Sequence, residues 1–246
     1  MPRTDATIPT ADGECGATLH TPAGTGPWPA VILFPDAGGA RETFRGMADR
    51  LAGLGYATLL PDVYYRYGGF EPFDMETVFS DEDQRKRLMG MVGSLSNDMI
   101  VADSGAYLEF LAGRPEVTGD GVGTTGYCMG GRASMITAGS HPGRVAAAAS
   151  FHGGRIAVEG DLSSPHLLAD RVRATVYVAG AENDGSFTPA QATLLDEALT
   201  GAGVEHTVEF YPAAHGFAVP DNPTYDAAAE QRHWEALERL YGAALA

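Results

Sequence analysis

The sequence predicts an α/β fold in which a mostly parallel central sheet is covered by helices on both faces. Two observations indicate this class. Short apolar runs, such as residues 30–34 and 145–150, alternate along the chain with segments whose apolar residues recur at helical spacing, such as 95–111. Alternation of this kind over most of a chain is typical of strand–helix–strand units, whose strands pair in parallel.

The predicted elements follow one another along the chain. An antiparallel hairpin is expected over residues 7–21, at the edge of the sheet. Further strands are predicted at 30–34, 56–60, 122–125, 145–150, 175–179 and 207–210, and helices at 41–54, 95–111, 132–138, 189–200 and from about 226. Residues 62–83 carry aromatic side chains among glycines and prolines without a regular period, and we expect them to form a wall or lid over a pocket.

Composition narrows the class of protein. A chain of 246 residues, 44% hydrophobic and without a linker-like segment, suits one domain over 1–246. The net charge of −16 argues against nucleic acid and anionic membranes as partners. Cys15 and Cys128 are the only cysteines, so a disulfide framework is excluded and a cytoplasmic setting is expected. No apolar run approaches the about 20 residues that span a bilayer, and the histidines lack metal-ligand spacing.

The segment Gly126-Tyr127-Cys128-Met129-Gly130 has the form of a nucleophile elbow, in which a strand turns sharply into a helix. Glycines are needed on both sides of the apex because a side chain there would strike the neighbouring strand or helix. Cys128 is then expected in a strained backbone conformation at a helix N-terminus, where the partial positive charge favours a thiolate. The motif therefore predicts Cys128 as a nucleophile.

An acid and a histidine follow, each after a predicted strand. Asp184 lies in the loop after strand 175–179, and His215 lies in the loop after strand 207–210. Nucleophile, acid and histidine is the chain order of catalytic triads in the α/β-hydrolase fold. Because the carboxyl ends of parallel strands meet at one edge of the sheet, we predict that these three residues form a catalytic site for acyl transfer.

Other interpretations of these residues stay open. A free cysteine in a glycine-rich turn is often a buried structural residue. A thiolate near a cation also oxidises readily, which makes Cys128 a candidate redox sensor, with Cys15 in an undetermined position. His152 follows a strand and is expected at the same edge of the sheet. A lone histidine is more often structural, so His152 is not assigned to the catalytic set.

The chain resembles the dienelactone hydrolase family, a branch of the α/β-hydrolase fold that uses cysteine, aspartate and histidine. The matching segments extend nearly from end to end: Phe34-Pro35-Asp36-Ala37-Gly38-Gly39, Leu60-Pro61-Asp62-Val63-Tyr64, the elbow from Gly126 to Gly131, the loop at Asp184, and His215-Gly216-Phe217. The resemblance implies the same triad and an oxyanion hole formed by the backbone N–H groups of Asp36 and Met129. It also implies substrate contacts at Arg85, Tyr64 and Phe217.

Two departures from the family bear on the substrate. Members that open dienelactones hold the substrate carboxylate with two arginines. Arg85 matches the first of these, whereas Val219 stands at the second. Those members also carry a glutamate beside the thiol, where this chain has Pro35 next to Asp36. Whether dienelactone itself is a substrate therefore stays open.

The expected function is hydrolysis of a small carboxylic ester or lactone through a thioester acyl-enzyme, without a cofactor or a metal. A thioesterase or a general small carboxylesterase is the alternative within the same class of enzyme. A non-catalytic small-molecule-binding module on the same fold is the alternative from another class, and it would require a broken triad.

Overall fold

An eight-stranded sheet forms the centre of the protein. The computed structural model describes residues 1–245, without the side chain of Asp120. The strands are β1 Arg3–Thr10, β2 Gly13–His20, β3 Trp28–Phe34, β4 Ala57–Pro61, β5 Val117–Tyr127, β6 Val145–Phe151, β7 Thr175–Asn183 and β8 His206–Ala214. The helices are α1 Glu42–Gly53, α2 Glu82–Ser94, α3 Asn97–Ala112, α4 Met129–Ser140, α5 Pro189–Gly201 and α6 Ala227–Ala244, with 3-10 turns at Tyr65–Tyr67 and Pro165–Arg171.

The order of the strands in the sheet is β1-β2-β4-β3-β5-β6-β7-β8. The first two form the antiparallel hairpin expected at the sheet edge, and β2 also runs antiparallel to β4. All other neighbours are parallel, from β4 through to β8. The predicted fold class, a mostly parallel sheet with helices on both faces, is confirmed.

Alternate residues of the buried strands face opposite layers of helices. In β3, Val31 and Leu33 pack in a cluster with side chains of α1 and α6, whereas Ile32 and Phe34 pack with side chains of α3 and α4. This period of two is the geometry of a strand buried on both faces, and it explains why β3 is continuously apolar. Within residues 1–245, no helix is both long and apolar enough to cross a bilayer.

Several elements differ in length from the sequence-based expectation. Strand β5 begins at Val117, where it pairs with the start of β3, and β7 and β8 pair with each other as far as Asn183 and Ala214. Helix α3 begins at Asn97, because the Ser96 hydroxyl accepts the Met99 N–H and caps it. The six parallel strands end at one edge of the sheet, and four of them end directly before Cys128, His152, Asp184 and His215.

Helix α2 is the element that the sequence pattern did not predict. Asp81 caps its start by accepting the N–H groups of Asp83 and Gln84 at 3.0 Å. The irregular segment before it is anchored by its own aromatic side chains, with Tyr64 and Phe73 buried in a separate cluster beside Ala37. That cluster packs against Ala37 in the loop after β3, and of residues 62–83 only Val63 lines the cavity described below. The aromatic rings of the segment therefore act chiefly as anchors, and the expected wall or lid is reduced to this one contact.

The first turn of α4 lies directly against the ends of β3 and β5. A Cβ atom on Gly126 would stand 1.9 Å from the Gly130 carbonyl oxygen. A Cβ atom on Gly130 would stand 2.4 Å from the carbonyl oxygens of Phe34 and Pro35. These neighbours are backbone atoms that cannot rotate away, so only glycine fits at either position.

We expect Gly130→Ala to lower the free energy of unfolding by about 3 kcal/mol, because the added methyl overpacks a backbone contact. Gly46→Ala is the matched control, since Gly46 lies in α1 with no atom near its virtual Cβ. It should raise stability by about 0.5–1 kcal/mol through helix propensity. Chemical denaturation of both variants measures the difference. Equal stabilities would contradict the steric account of the elbow.

Candidate active site

Cys128 lies at the sharp turn between β5 and α4. Its backbone has φ 55 and ψ −118, a left-handed value that is uncommon outside glycine. The turn is held from both sides, because the Cys128 N–H donates to the Phe151 carbonyl and the Gly131 N–H donates to the Cys128 carbonyl, each at 3.1 Å. The thiol is partly exposed and in no disulfide, and it stands at the N-terminus of α4.

His215 and Asp184 are hydrogen bonded at the same edge of the sheet. The distance from His215 Nδ1 to Asp184 Oδ2 is 2.6 Å. Each residue directly follows its strand, β8 for the histidine and β7 for the aspartate. The Asp184 side chain is only 5% exposed, whereas that of His215 is 33% exposed. The acid is therefore shielded, and the imidazole is open to an incoming molecule.

Ser186 fixes the carboxylate from the other side. Its hydroxyl and its backbone N–H both donate to Asp184 Oδ1, at 2.7 and 2.8 Å. One carboxylate oxygen is thus committed to Ser186 and the other to His215. Ser186 is a residue that sequence reasoning missed, although the Asp184-Gly185-Ser186 spacing is typical of a turn in which an aspartate accepts the N–H two residues on.

The surroundings of His215 favour its protonated form. Burial opposes a charge on the ring, but the hydrogen bond that the ring donates to Asp184 and the adjacent Cys128 outweigh it and raise the pKa of His215 to about 10. Burial likewise opposes the charge on Asp184, and its bonds with His215 and Ser186 outweigh that and lower the pKa of Asp184. At neutral pH the pair is therefore imidazolium and carboxylate.

The two predicted oxyanion-hole residues lie on the loops that meet beside Cys128. Met129 is the first residue of α4, where the helix offers no acceptor for a backbone N–H. Asp36 follows β3 two residues after Phe34 and is buried. The contact of Gly130 with the Phe34 and Pro35 carbonyls brings the two loops together.

Arg41 connects the oxyanion loop to the loop after His215. Its guanidinium donates to both Asp36 oxygens, at 2.6 and 3.0 Å, and to both Asp221 oxygens, at 2.7 Å each. The Thr43 hydroxyl adds a 2.6 Å bond to Asp221. Two bidentate pairs on one planar guanidinium fix both loops against each other. Sequence reasoning missed this link, because Arg41 and Asp221 are far apart in the chain.

Tyr64 and Phe217, both expected to contact substrate, are buried in this structure. The Tyr64 hydroxyl donates to the Ala37 carbonyl at 3.0 Å and lies 3.3 Å from Met129 Sδ, so the ring supports the oxyanion loops from behind. The Phe217 ring packs against Tyr211 and His152, at 5.1 and 5.0 Å between centroids. Neither residue lines the large cavity described next.

A cavity of about 690 Å³ opens beside the elbow. Met129 and Gly130 form part of its wall, although Cys128 does not, and the opposite wall comes from α2 and α3. The lining residues are Phe34, Pro35, Val63, Met89, Val92, Gly93, Leu95, Ser96, Asn97, Asp98, Ile100, Asp103, Tyr107, Met129, Gly130, Arg132, Ala133, Arg155 and Ser163. The predominantly apolar wall suits the carbon chain of a small organic molecule.

Arg85 lies outside that lining. It is exposed on α2, one helical turn before Met89, which does line the cavity, so Arg85 stands near the mouth. Val219 corresponds to the second arginine of dienelactone-opening members, but it is fully buried in the core and does not line the cavity beside the elbow. The structure therefore does not assemble the two-arginine arrangement at these positions.

His152 directly follows β6 and lies beneath His215. Their ring centroids are 5.0 Å apart, in an edge-to-face arrangement. The ring is 1% exposed, so it does not line a pocket. Sequence reasoning placed His152 at the correct edge of the sheet but had no signal for its burial, which results from packing of β6 against its neighbours.

The parallel sheet, the sharp turn at Cys128 and the hydrogen-bonded Asp184 and His215 at its carboxyl edge are features of the α/β-hydrolase class. A sequence model of the dienelactone hydrolase family matches residues 15–245, and the chain belongs to that family. The protein is accordingly a hydrolase that acts on carboxylic ester or lactone bonds.

Individual relatives agree with this assignment. A carboxymethylenebutenolidase from a Pseudomonas species is 29% identical over 232 residues, covering 93% of this chain and 91% of that protein. A dienelactone hydrolase-like promiscuous phosphotriesterase from metagenomic libraries is 26% identical, with a TM-score of 0.79 over 99% of each chain. The dienelactone hydrolase of Anabaena variabilis, 17% identical with a TM-score of 0.69 over 99% of this chain and 98% of that one, shares the fold.

We expect Asp184→Asn to lower the pKa of His215 by about one to two units, because a neutral amide no longer attracts the imidazolium proton. In the parent, the pKa of His215 is higher in the folded than in the unfolded chain. The Asp184–His215 pair therefore contributes its full stabilising free energy below pH 6.5, and this contribution is lost as the pH rises through about 10. The variant should lose stability chiefly below pH 10. An NMR titration of the histidine ring protons measures the shift.

Asp196→Asn is the matched control for that titration. Asp196 Oδ1 lies 3.1 Å from His206 Nε2, in an aspartate–histidine pair remote from the site. Its replacement should leave the His215 titration unchanged. If both variants move His215 equally, the effect is one of net charge and Asp184 is not a specific partner.

Proposed function

We propose that the protein hydrolyses small carboxylic esters or lactones through a Cys128–His215–Asp184 triad and a thioester acyl-enzyme. The observation that carries the proposal is the 2.6 Å Asp184–His215 hydrogen bond beside a cysteine held at φ 55 on a helix N-terminus. Nucleophile, base and orienting acid are the three parts that acyl transfer requires.

The first chemical step is attack by sulfur. In the proposed mechanism His215 holds the proton of the Cys128 thiol, and the sulfur is the nucleophile. The thiolate attacks the substrate carbonyl carbon, and the electron pair of the C=O bond moves to its oxygen. When the tetrahedral intermediate collapses, the bond to the leaving oxygen breaks and His215 donates its proton to that oxygen. The product is an alcohol, or the open hydroxyl end of a lactone, and a thioester.

The oxyanion of that intermediate is received by the backbone N–H groups of Met129 and Asp36. Support for this assignment comes from the meeting of the two loops at Gly130 and from the fixation of Asp36 by Arg41. Amides held in place before the reaction stabilise developing negative charge without reorganisation. The Tyr64 hydroxyl reinforces both loops from behind.

The second half of the reaction releases the acid. Neutral His215, left after the first proton transfer, takes a proton from water, and the hydroxide attacks the thioester carbonyl. Collapse of this second intermediate breaks the bond to sulfur and restores the thiolate and the imidazolium. Asp184 stays ionised throughout and holds the ring in one orientation through Nδ1.

We expect Cys128→Ala to abolish hydrolysis and Cys128→Ser to retain at most about a thousandth of the parent kcat, because a hydroxyl is far harder to ionise than a thiol. Circular dichroism and thermal unfolding establish that both variants fold. A folded Cys128→Ala variant with parent turnover would show that Cys128 is not the nucleophile.

Cys15 provides an internal control for thiol reactivity. It is fully buried, and burial raises the pKa of its thiol to about 11. Iodoacetamide should therefore label Cys128 much faster than Cys15 near neutral pH, as followed by mass spectrometry of the two peptides. Equal labelling of the two cysteines would argue against an activated Cys128.

The substrate classes are distinguished by a panel of aryl esters, lactones and acyl thioesters. A phosphotriester is added to the panel because one relative is a promiscuous phosphotriesterase. Turnover of esters or lactones supports the proposal. A preference for acyl thioesters identifies a thioesterase instead, with the same nucleophile. Reversible disulfide formation in peroxide, without hydrolysis, would favour the redox-sensor alternative.

We expect neutral esters to compete well with carboxylated ones. Arg85 is exposed near the cavity mouth, and an exposed arginine contributes roughly 1 kcal/mol or less to binding an anion. Arg85→Ala should therefore change the ratio of kcat/KM for matched anionic and neutral esters by less than about fivefold. A hundredfold preference of the parent for the anion, lost in Arg85→Ala, would show instead that Arg85 is a fixed clamp.

A further inference from the structure

His152 is a buried imidazole whose nitrogens have no partner in the part of the chain that the structure describes. Neither Nδ1 nor Nε2 finds a hydrogen-bond acceptor or donor within residues 1–245. The residue also adopts φ 40, a left-handed value, at the carboxyl end of β6. Unpaired buried nitrogens and a positive φ both disfavour folding, and such features concentrate at functional sites.

His233 shows what a structural histidine looks like in the same protein. It is fully buried on α6, and its Nε2 and Nδ1 face the Tyr127 hydroxyl at 2.6 Å and the Glu230 carbonyl at 3.2 Å. Both of its nitrogens are thus satisfied by fixed partners. His152 differs in having none, so hydrogen bonding does not explain the presence of histidine at this position.

The rings around His152 include the proposed catalytic base. His215 and Phe217 each lie with ring centroids 5.0 Å from that of His152, both edge to face, and Tyr127 lies at 6.0 Å. His152 is therefore one of the side chains that pack against the His215 ring. Because it is buried, it has no access to substrate and acts only through His215.

We propose that His152 is a positioning residue for His215, and that its uncharged imidazole packs against the His215 ring and stabilises the imidazolium. The inference rests on the catalytic role proposed above for His215. A histidine offers a lone pair on its unprotonated nitrogen, which attracts a nearby cation and which a phenyl ring lacks. Since neither nitrogen of His152 has a hydrogen-bond partner within the described chain, either tautomer is available without the loss of a hydrogen bond.

The charges around His152 are consistent with an uncharged ring. Burial first, and then the charge of the His215 imidazolium, hold the pKa of His152 well below its usual range, against a smaller opposing effect of Asp184. The titratable groups facing His215 are Cys128 from the elbow, Asp184 from the end of β7 and His152 from β6. Only one imidazole of the contacting pair is therefore charged at neutral pH.

The decisive variant is His152→Phe, which keeps a ring of similar size and removes both nitrogens. We expect the pKa of His215, followed by NMR in the resting enzyme, to fall by about one unit, and the alkaline limb of the kcat/KM profile to move with it. The rate loss should reach about tenfold on that limb and stay within about threefold near neutral pH. An unshifted titration and an unshifted limb would overturn the inference.

His233→Phe is the matched control. It also removes a buried imidazole, but one that does not contact His215, so the His215 titration should be unchanged even where stability falls. Equal shifts in the two variants would mean that any loss of a buried histidine disturbs the site, and would also overturn the inference. Because the titration needs no substrate, absence of hydrolysis would count against the proposed function and not against this role of His152.

A second measurement uses the unaltered protein, in case a phenylalanine at φ 40 prevents folding. In spectra of isotope-labelled histidine, the His152 ring signals should remain those of an uncharged imidazole at neutral pH and should shift as His215 titrates. Protonation of His152 with a midpoint near 6.5, or signals that do not respond to His215, would overturn the inference.

Discussion

The site depends on one backbone contact, the approach of the first turn of α4 to the ends of β3 and β5. Glycine at 126 and 130 permits it, because any Cβ there would overlap carbonyl oxygens. The contact forces the chain to reverse over a single residue, which explains the left-handed conformation of Cys128. It also sets Met129 beside the loop that carries Asp36. The proposed nucleophile and both proposed oxyanion amides are thereby placed by a single steric constraint.

Asp184 and His215 come from loops much further along the chain than the elbow. Ion pairs connect these loops to the loop that carries Asp36. Asp184 is held by Ser186 and in turn holds His215. Arg41 joins Asp36, on the nucleophile side, to Asp221, on the histidine side, through two bidentate pairs. A planar guanidinium tolerates little displacement of either carboxylate. The two sides of the site are therefore held in register by directional bonds in addition to apolar packing.

Three neighbouring histidines illustrate how surroundings determine charge. His233 is bonded to Tyr127, and burial lowers its pKa to about 3. His152 is equally buried and has no hydrogen-bond partner within the described chain. His215 alone faces a carboxylate and a thiol, and it alone has a raised pKa. The proposed mechanism moves one proton at a time through one imidazole, and of the three rings only His215 has partners that favour a charge.

The sequence by itself determined the fold class, the elbow and the order of Cys128, Asp184 and His215. Strand and helix alternation and the spacing of glycines are local patterns, so they can be recognised without knowledge of tertiary contacts. It did not predict α2, in which glycines interrupt the helical pattern and only Leu88 and Met91 are buried. It also did not predict the full lengths of β7 and β8, which pair with each other beyond the predicted ends. Only the tertiary structure decided that Tyr64 and Phe217 face inward, that Arg41 reaches Asp221, and that His152 lies buried against His215. These features depend on contacts between segments that are distant in the chain. Such contacts cannot be inferred from the residues of one segment alone.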